Sequence, residues 1–309
     1  MAGPSLRSWR WPYAGIGVIW GCSFLFIKVA LDFLTPFGVA FVRCALGALT
    51  LLVIARVTGV TLPRGRRVWY DLWVVAMCLN VVPGVLFAVA ESRTTSLLAG
   101  LINGVTPLTA LFFIGVVFRD DPVTRPQVVG FGVGLVGVLT VLGVWRGLGS
   151  NPWWAVAALL AAVTLYGVTF PYSRRHLIPL GLAPVSLAGA QLVLATVTLV
   201  PTFLVDGLNG HALTLSGTAG VIALGVFGSG VAFMWNFRVI REAGSSIAST
   251  VTYLTPVVAV IVGVAFLHEP LAWYEPVGGA VVLLGAAIGQ GRLGGAGYAL
   301  RRERDAMSK

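Results

Sequence analysis

Apolar residues gather along the chain in ten stretches, at roughly 12–31, 36–56, 69–90, 96–118, 127–146, 153–173, 183–204, 216–237, 246–267 and 274–292. A helix needs about 20 predominantly apolar residues to cross a ~30 Å hydrocarbon core at ~1.5 Å rise per residue. Each stretch reaches that length. Pro36, Pro184 and Pro276 stand at the heads of their stretches, where a missing N–H costs little. The gaps at 32–35 and 147–152 are so short that the helices flanking them must run antiparallel. The pattern predicts an all-α integral membrane protein with ten transmembrane helices.

Composition excludes the soluble alternatives. Of 309 residues, 57% are hydrophobic and 10% charged, and the mean hydropathy is +0.91. A soluble domain carries roughly 25% charged residues. The net charge of +10 does not indicate nucleic acid as a partner, because the basic residues fall in short clusters between apolar runs. With the N-terminus inside, seventeen Lys and Arg residues face the cytoplasm and only Arg93 and Arg146 face outward. One span more or fewer would destroy that bias, so both termini are expected in the cytoplasm, with the protein multi-pass in the cell membrane. Cys22, Cys44 and Cys78 lie inside apolar stretches without disulfide or metal spacing, and read as packing residues. The first apolar run has no small-residue cleavage site after it and is expected to stay as a helix.

The chain repeats itself. Ser96, Ala99 and Thr106-Pro107 recur as Ser245, Ala248 and Thr255-Pro256 at an offset of 149. Asp121-Pro122, Gly130 and Gly137 recur as Glu269-Pro270, Gly278 and Gly285 at an offset of 148, as does Pro36 at Pro184. Trp20-Gly21 has its counterpart in Tyr166-Gly167, and Lys28 in Arg174. Two copies of a five-helix unit must lie upside down to one another, because five is odd. Inverted repeats around a midplane site are a recurring design of secondary transporters. The expected layout is a tail at 1–11, repeats at 12–146 and 153–292, and a basic tail at 293–309.

These residues carry a family resemblance. Trp20-Gly21 with Ser23 and Lys28, Arg43, Thr106-Pro107, Asp121, Gly130, Thr255-Pro256, Glu269-Pro270 and Gly278 together resemble the drug/metabolite transporter superfamily. The match is to its ten-helix type, built from two EamA repeats. The family's usual Glu after the fourth helix is replaced here by Asp121 beside Asp120. The resemblance implies export or exchange of small metabolites by alternating access, through a cavity between the halves.

Candidate site residues follow from polarity inside the spans. Lys28 and Arg43 are intramembrane cations for which no nearby span supplies an acid. Arg43 lies about 10 Å below the outer surface at ~1.5 Å per residue, with Lys28 somewhat shallower on the adjacent helix. They read either as a clamp for an anionic solute group or as side chains snorkelling to headgroups. Gln191 takes the place of Arg43 in the second repeat, so any clamp is one-sided. Trp20, Ser23, Asn80, Asn103, Tyr166, Gln191, Asn236 and Tyr253 complete the cavity candidates, with interhelical bonding as the alternative role. Pro107 and Pro256, with Thr106 and Thr255, are expected as mid-helix kinks or hinges whose freed carbonyls, on Asn103 and Thr252, need outside donors.

Residues 132–137 spell a dinucleotide fingerprint inside an apolar span with no preceding strand, so the match is accidental. Gly130, Gly134, Gly285 and Gly289 better suit close helix contacts. The histidines form no cluster, so neither a metal nor a cofactor is expected. The expected partners are a small-molecule solute and the bilayer, with a homodimer left open. The leading function is a secondary transporter exporting a small metabolite, amino-acid-like or anionic. A multidrug exporter of the same fold is the alternative, disfavoured by the lack of an embedded carboxylate. An intramembrane lipid-modifying enzyme is the reading from another class.

Overall fold

The computed structural model describes residues 9–118, 125–146 and 151–289. Eight helices are long and apolar enough to cross a membrane. They are α1 (Arg10–Ala30), α2 (Pro36–Val57), α3 (Arg66–Glu91), α4 (Ser96–Val117), α6 (Trp153–Leu180), α7 (Pro184–Asp206), α8 (Leu215–Ala243) and α9 (Ser245–Leu267). Two shorter apolar helices, α5 (Arg125–Val141) and α10 (Tyr274–Gly289), fall on the remaining two apolar stretches.

Local chemistry sets the helix starts. Thr35 accepts a hydrogen bond from the Gly38 N–H before Pro36 opens α2. Thr95 does the same for Leu98 at the head of α4, and Thr214 for Gly217 at the head of α8. Gly244, at φ +88°, makes the sharp corner between α8 and α9 that a side chain would strain.

Four helices are irregular, in matching places apart from a π-turn at Phe113–Val117 of α4 that α9 lacks. α3 widens to a π-turn at Met77–Val81 and α8 at Leu224–Val231, which the repeat offset superimposes. α4 breaks at Gly104 and Val105, and α9 passes through a tight 3-10 turn at Thr250–Tyr253. Pro107 and Pro256 follow directly on these interruptions of their spans. Each sits within the first turn of a restarted helix, beginning at Thr106 and Leu254, where no intrahelical N–H bond is lost. The Thr252 carbonyl is satisfied within its own helix, by the Thr255 hydroxyl at 2.8 Å.

Packing repeats as well. α1 packs on α8 and α9, and its counterpart α6 packs on α3 and α4. α2 packs on α8 as α7 packs on α3, while α2–α7, α4–α9 and α5–α10 pair counterparts directly. In the α5–α10 pair the backbones touch. A Cβ added at Gly137 would lie 2.5 Å from the Val282 nitrogen, one at Gly278 2.4 Å from that of Val141, and one at Gly285 2.4 Å from that of Gly134. Only glycine permits that approach. The outer face of α5, with Val128, Phe131, Leu135 and Leu139, is exposed and apolar, as a lipid-facing surface must be.

Gly137→Val is expected to lower the thermal midpoint of the detergent-solubilised protein, with an overpacking cost of about 1–3 kcal/mol. Gly132→Ala, whose added methyl meets nothing within 4 Å, should leave the midpoint unchanged or raise it. Equal behaviour of the two variants would contradict the glycine seam.

Candidate functional site

A cavity opens at the centre of the bundle, lined by Trp20, Ser23, Phe24, Ile27, Arg43, Leu79, Phe87, Asn103, Tyr166, Phe170, Phe233 and Thr252. About 520 Å³ there is unfilled by atoms, open solvent included, but only about 40 Å³ admits the centre of a water-sized sphere. That is room for a few waters. A larger molecule would fit there only if side chains or helices moved. The walls are aromatic: Trp20 packs on Phe233 at 5.7 Å between ring centroids, Phe24 on Phe87 at 5.6 Å, and Phe87 stacks on Tyr166 at 5.7 Å.

Arg43 is the one cationic side chain among the lining residues. It is 5% exposed, and its Nε donates to the Ser229 hydroxyl at 3.1 Å. Its terminal nitrogens have no hydrogen-bond partner among the described residues and remain available to a solute. The π-turn of α8 presents Ser229, and the Gly228 carbonyl in the same turn accepts from the Trp20 indole at 3.1 Å.

The second repeat repeats the bond with different chemistry. Gln191, the counterpart of Arg43, donates its side-chain amide to Asn80, which the π-turn of α3 presents as that of α8 presents Ser229. Both amides are fully buried and neither lines the cavity. Asn103, on the cavity wall, donates to the Thr255 hydroxyl at 2.9 Å and so ties the break in α4 to α9. Thr106 in turn donates to the Asn103 side-chain oxygen. Asn236 is buried away from the cavity, and Tyr253 lies in the 3-10 turn of α9.

Lys28 takes a different place from Arg43. It is not among the cavity-lining residues, and its ammonium donates to the main-chain carbonyls of Glu91 at 2.6 Å and Thr94 at 2.8 Å. A cation there satisfies the open carbonyls at the C-terminus of α3 and complements its dipole. Glu269 holds the other side of the same turn. Its carboxylate accepts from the Ser96 N–H at 2.8 Å, the Leu97 N–H at 2.9 Å and the Ser96 hydroxyl at 3.0 Å, at the N-terminus of α4. A buried acid also lies beside the cations, which the sequence did not show. Glu91 is fully buried at the end of α3, beside Lys28. Its position at a helix end made it look like a surface residue in the sequence.

The EamA-like transporter family matches residues 13–143 and again 153–288, nearly the whole chain. The chain belongs to that family. The inner membrane transporter YedA of Escherichia coli strain K12 is 27% identical over 84% of this chain and 82% of its own length. A protein of Streptantibioticus cattleyicolor described as a probable terminal-alkyne amino-acid exporter is 27% identical over 88% of this chain and 89% of its own. A solved crystal structure superposes with a TM-score of 0.69 at 19% identity, covering 92% of this chain and 96% of that one, and so shares the fold. The protein is a multi-pass membrane transporter with two EamA repeats.

Within the EamA frame, five of the ten cavity candidates named from sequence line the cavity: Trp20, Ser23, Arg43, Asn103 and Tyr166. The apolar lining residues Phe24, Leu79, Phe87 and Phe233 carried no signal of their own, since any apolar span residue looks alike. Ser229 did carry one. The offset of 149 places it on Asn80, and Gln191 on Arg43 is the matching partner.

Lys28→Met is expected to destabilise this transporter by about 2 kcal/mol or more, because two charge-assisted hydrogen bonds at a helix end are lost. A thermal melt in detergent reads it. An unshifted midpoint would show that the Lys28 cap contributes nothing.

Proposed function

We propose that this chain is a secondary carrier that exports a small organic solute, amino-acid-like or otherwise anionic, across the cytoplasmic membrane by alternating access. The observation that carries the reading is Arg43, a buried cation on an aromatic-walled central cavity with its terminal nitrogens uncommitted. A guanidinium in that setting suits a carboxylate or phosphate, which it can grip through two parallel N–H bonds. The similarity to a probable amino-acid exporter agrees with a carboxylate-bearing solute. The aromatic walls would also suit a flat drug-like cation, which keeps a multidrug exporter as the second reading. A fixed positive charge on the cavity wall weighs against it.

Alternating access in this reading runs on ten spans, in two inverted halves, with both termini cytoplasmic. Contacts between turns support the scheme. Leu34 bridges to Leu208, and Glu269 binds Ser96, each joining two turns that ten spans would put on the outer side. The Ser186 hydroxyl binds the Thr61 carbonyl at 2.7 Å, joining two segments that ten spans would put on the inner side. At ~1.5 Å per residue α5 and α10 reach about 25 Å, a shortfall that a bilayer absorbs by thinning.

A counterflow screen in proteoliposomes across amino acids, sugars, nucleotides and dyes identifies the solute class. Arg43→Gln is then expected to weaken a carboxylate-bearing solute about 10- to 100-fold. Unchanged affinity would remove Arg43 from recognition, and no exchange of any solute would remove the carrier. Tags on the two termini should be protected together in intact cells. A tag exposed on one end alone would break the ten-span scheme.

A further inference from the structure

Glu91 stands apart from every other polar side chain near the cavity. Its carboxyl group is 0% exposed, and neither oxygen has a hydrogen-bond partner among the described residues. Buried acids are nearly always bonded or paired. Lys28 is close, yet its ammonium is committed to the main-chain carbonyls of Glu91 and Thr94 rather than to the carboxyl group. The other charged or titratable groups that face Glu91 are Arg43 from α2, Tyr166 from α6 and Glu269 from the turn before α10.

The position ties the acid to the cavity. On α3, Glu91 follows the cavity-lining Phe87 by four residues, so the two share a face one turn apart. On α1, Lys28 follows the cavity-lining Phe24 by the same interval. Acid and amine thus lie together one turn beyond the cavity wall. They sit in the turn that Lys28 closes from the first repeat and Glu269 from the second.

We propose that the Glu91 carboxyl group is a proton-binding site that couples transport to proton movement. The proposal rests on the carrier reading above. One proton adds to one carboxylate oxygen in one state and leaves to water in the other, and no electron or other group moves. The two forms suit two surroundings. The neutral acid fits the dry packing of α3 against α1 and α6. The anion needs water or a cation, and both come within reach when the 92–95 turn loosens and the ammonium swings from the carbonyls to the carboxylate.

Infrared difference spectroscopy on the full chain in liposomes, titrated across about pH 4 to 9, needs no solute. The expected result is a buried-carboxyl band that rises and falls with pH in the wild type. It should shift in Glu91→Asp, be missing in Glu91→Gln and survive in Glu275→Gln. No titrating band in the wild type, or its persistence in Glu91→Gln, overturns the proposal. The wild-type titration keeps the test decisive even where Glu91→Gln fails to fold. In proteoliposomes loaded with a radiolabelled amino-acid mixture, Glu91→Gln should keep counterflow at equal pH and lose accumulation driven by a pH gradient. Accumulation equal to wild type in Glu91→Gln, or absent from the wild type itself, overturns coupling. Absence of amino-acid counterflow in the wild type overturns the amino-acid carrier reading instead, and the infrared band separates the two failures.

Discussion

A backbone group without a partner is costly wherever water is absent, by several kcal/mol in hydrocarbon. Nowhere does that constraint act harder here than at the turn between α3 and α4. One helix ends there and the next begins, and the carbonyls and N–H groups at such ends need partners from outside the helix. Two charged side chains answer them. Lys28, in the first repeat, takes the carbonyls of Glu91 and Thr94, and Glu269, in the second, takes the N–H groups of Ser96 and Leu97. One short turn is thereby held by both halves of the molecule, at the edge of the cavity they enclose.

The same constraint explains the irregular helices. Breaks in α4 and α9 and π-turns in α3 and α8 leave main-chain groups free at matching depths. Threonine hydroxyls, the Trp20 indole and the Asn103 amide take them up or bridge the gaps, and each of these side chains is thereby oriented. Irregular backbone is tolerated only where protein or a cavity surrounds it, so the breaks and the cavity fall together.

The scaffold is nearly symmetric, and its chemistry is not. The helix contacts recur under exchange of the repeats, down to the bond from α2 to the π-turn of α8 and its twin from α7 to that of α3. In one copy that bond uses an arginine with donors to spare, open to the cavity. In the other it uses a single bond between two buried amides, away from it. In the proposed carrier, two halves alike in shape would allow inward- and outward-facing states of similar energy, and one-sided charge would give a solute a defined orientation.

The periodicity of apolar stretches, the positive-inside bias and the doubled Thr-Pro and acid-Pro motifs determined the all-helical architecture, the two repeats and the family. Those properties rest on local composition and on distances along the chain, which a sequence carries directly. Arg43 and Gln191 were legible as unequal counterparts for the same reason. What the tertiary structure decided was the partner of each polar group. Lys28 and Arg43 look alike as intramembrane cations, yet one caps a helix and the other faces the cavity. Glu91 and Glu269 look alike as helix-end acids, yet one is buried without a partner and the other binds three donors. Burial and pairing depend on residues tens or hundreds of positions away, so only the packed fold separates a structural charge from a working one.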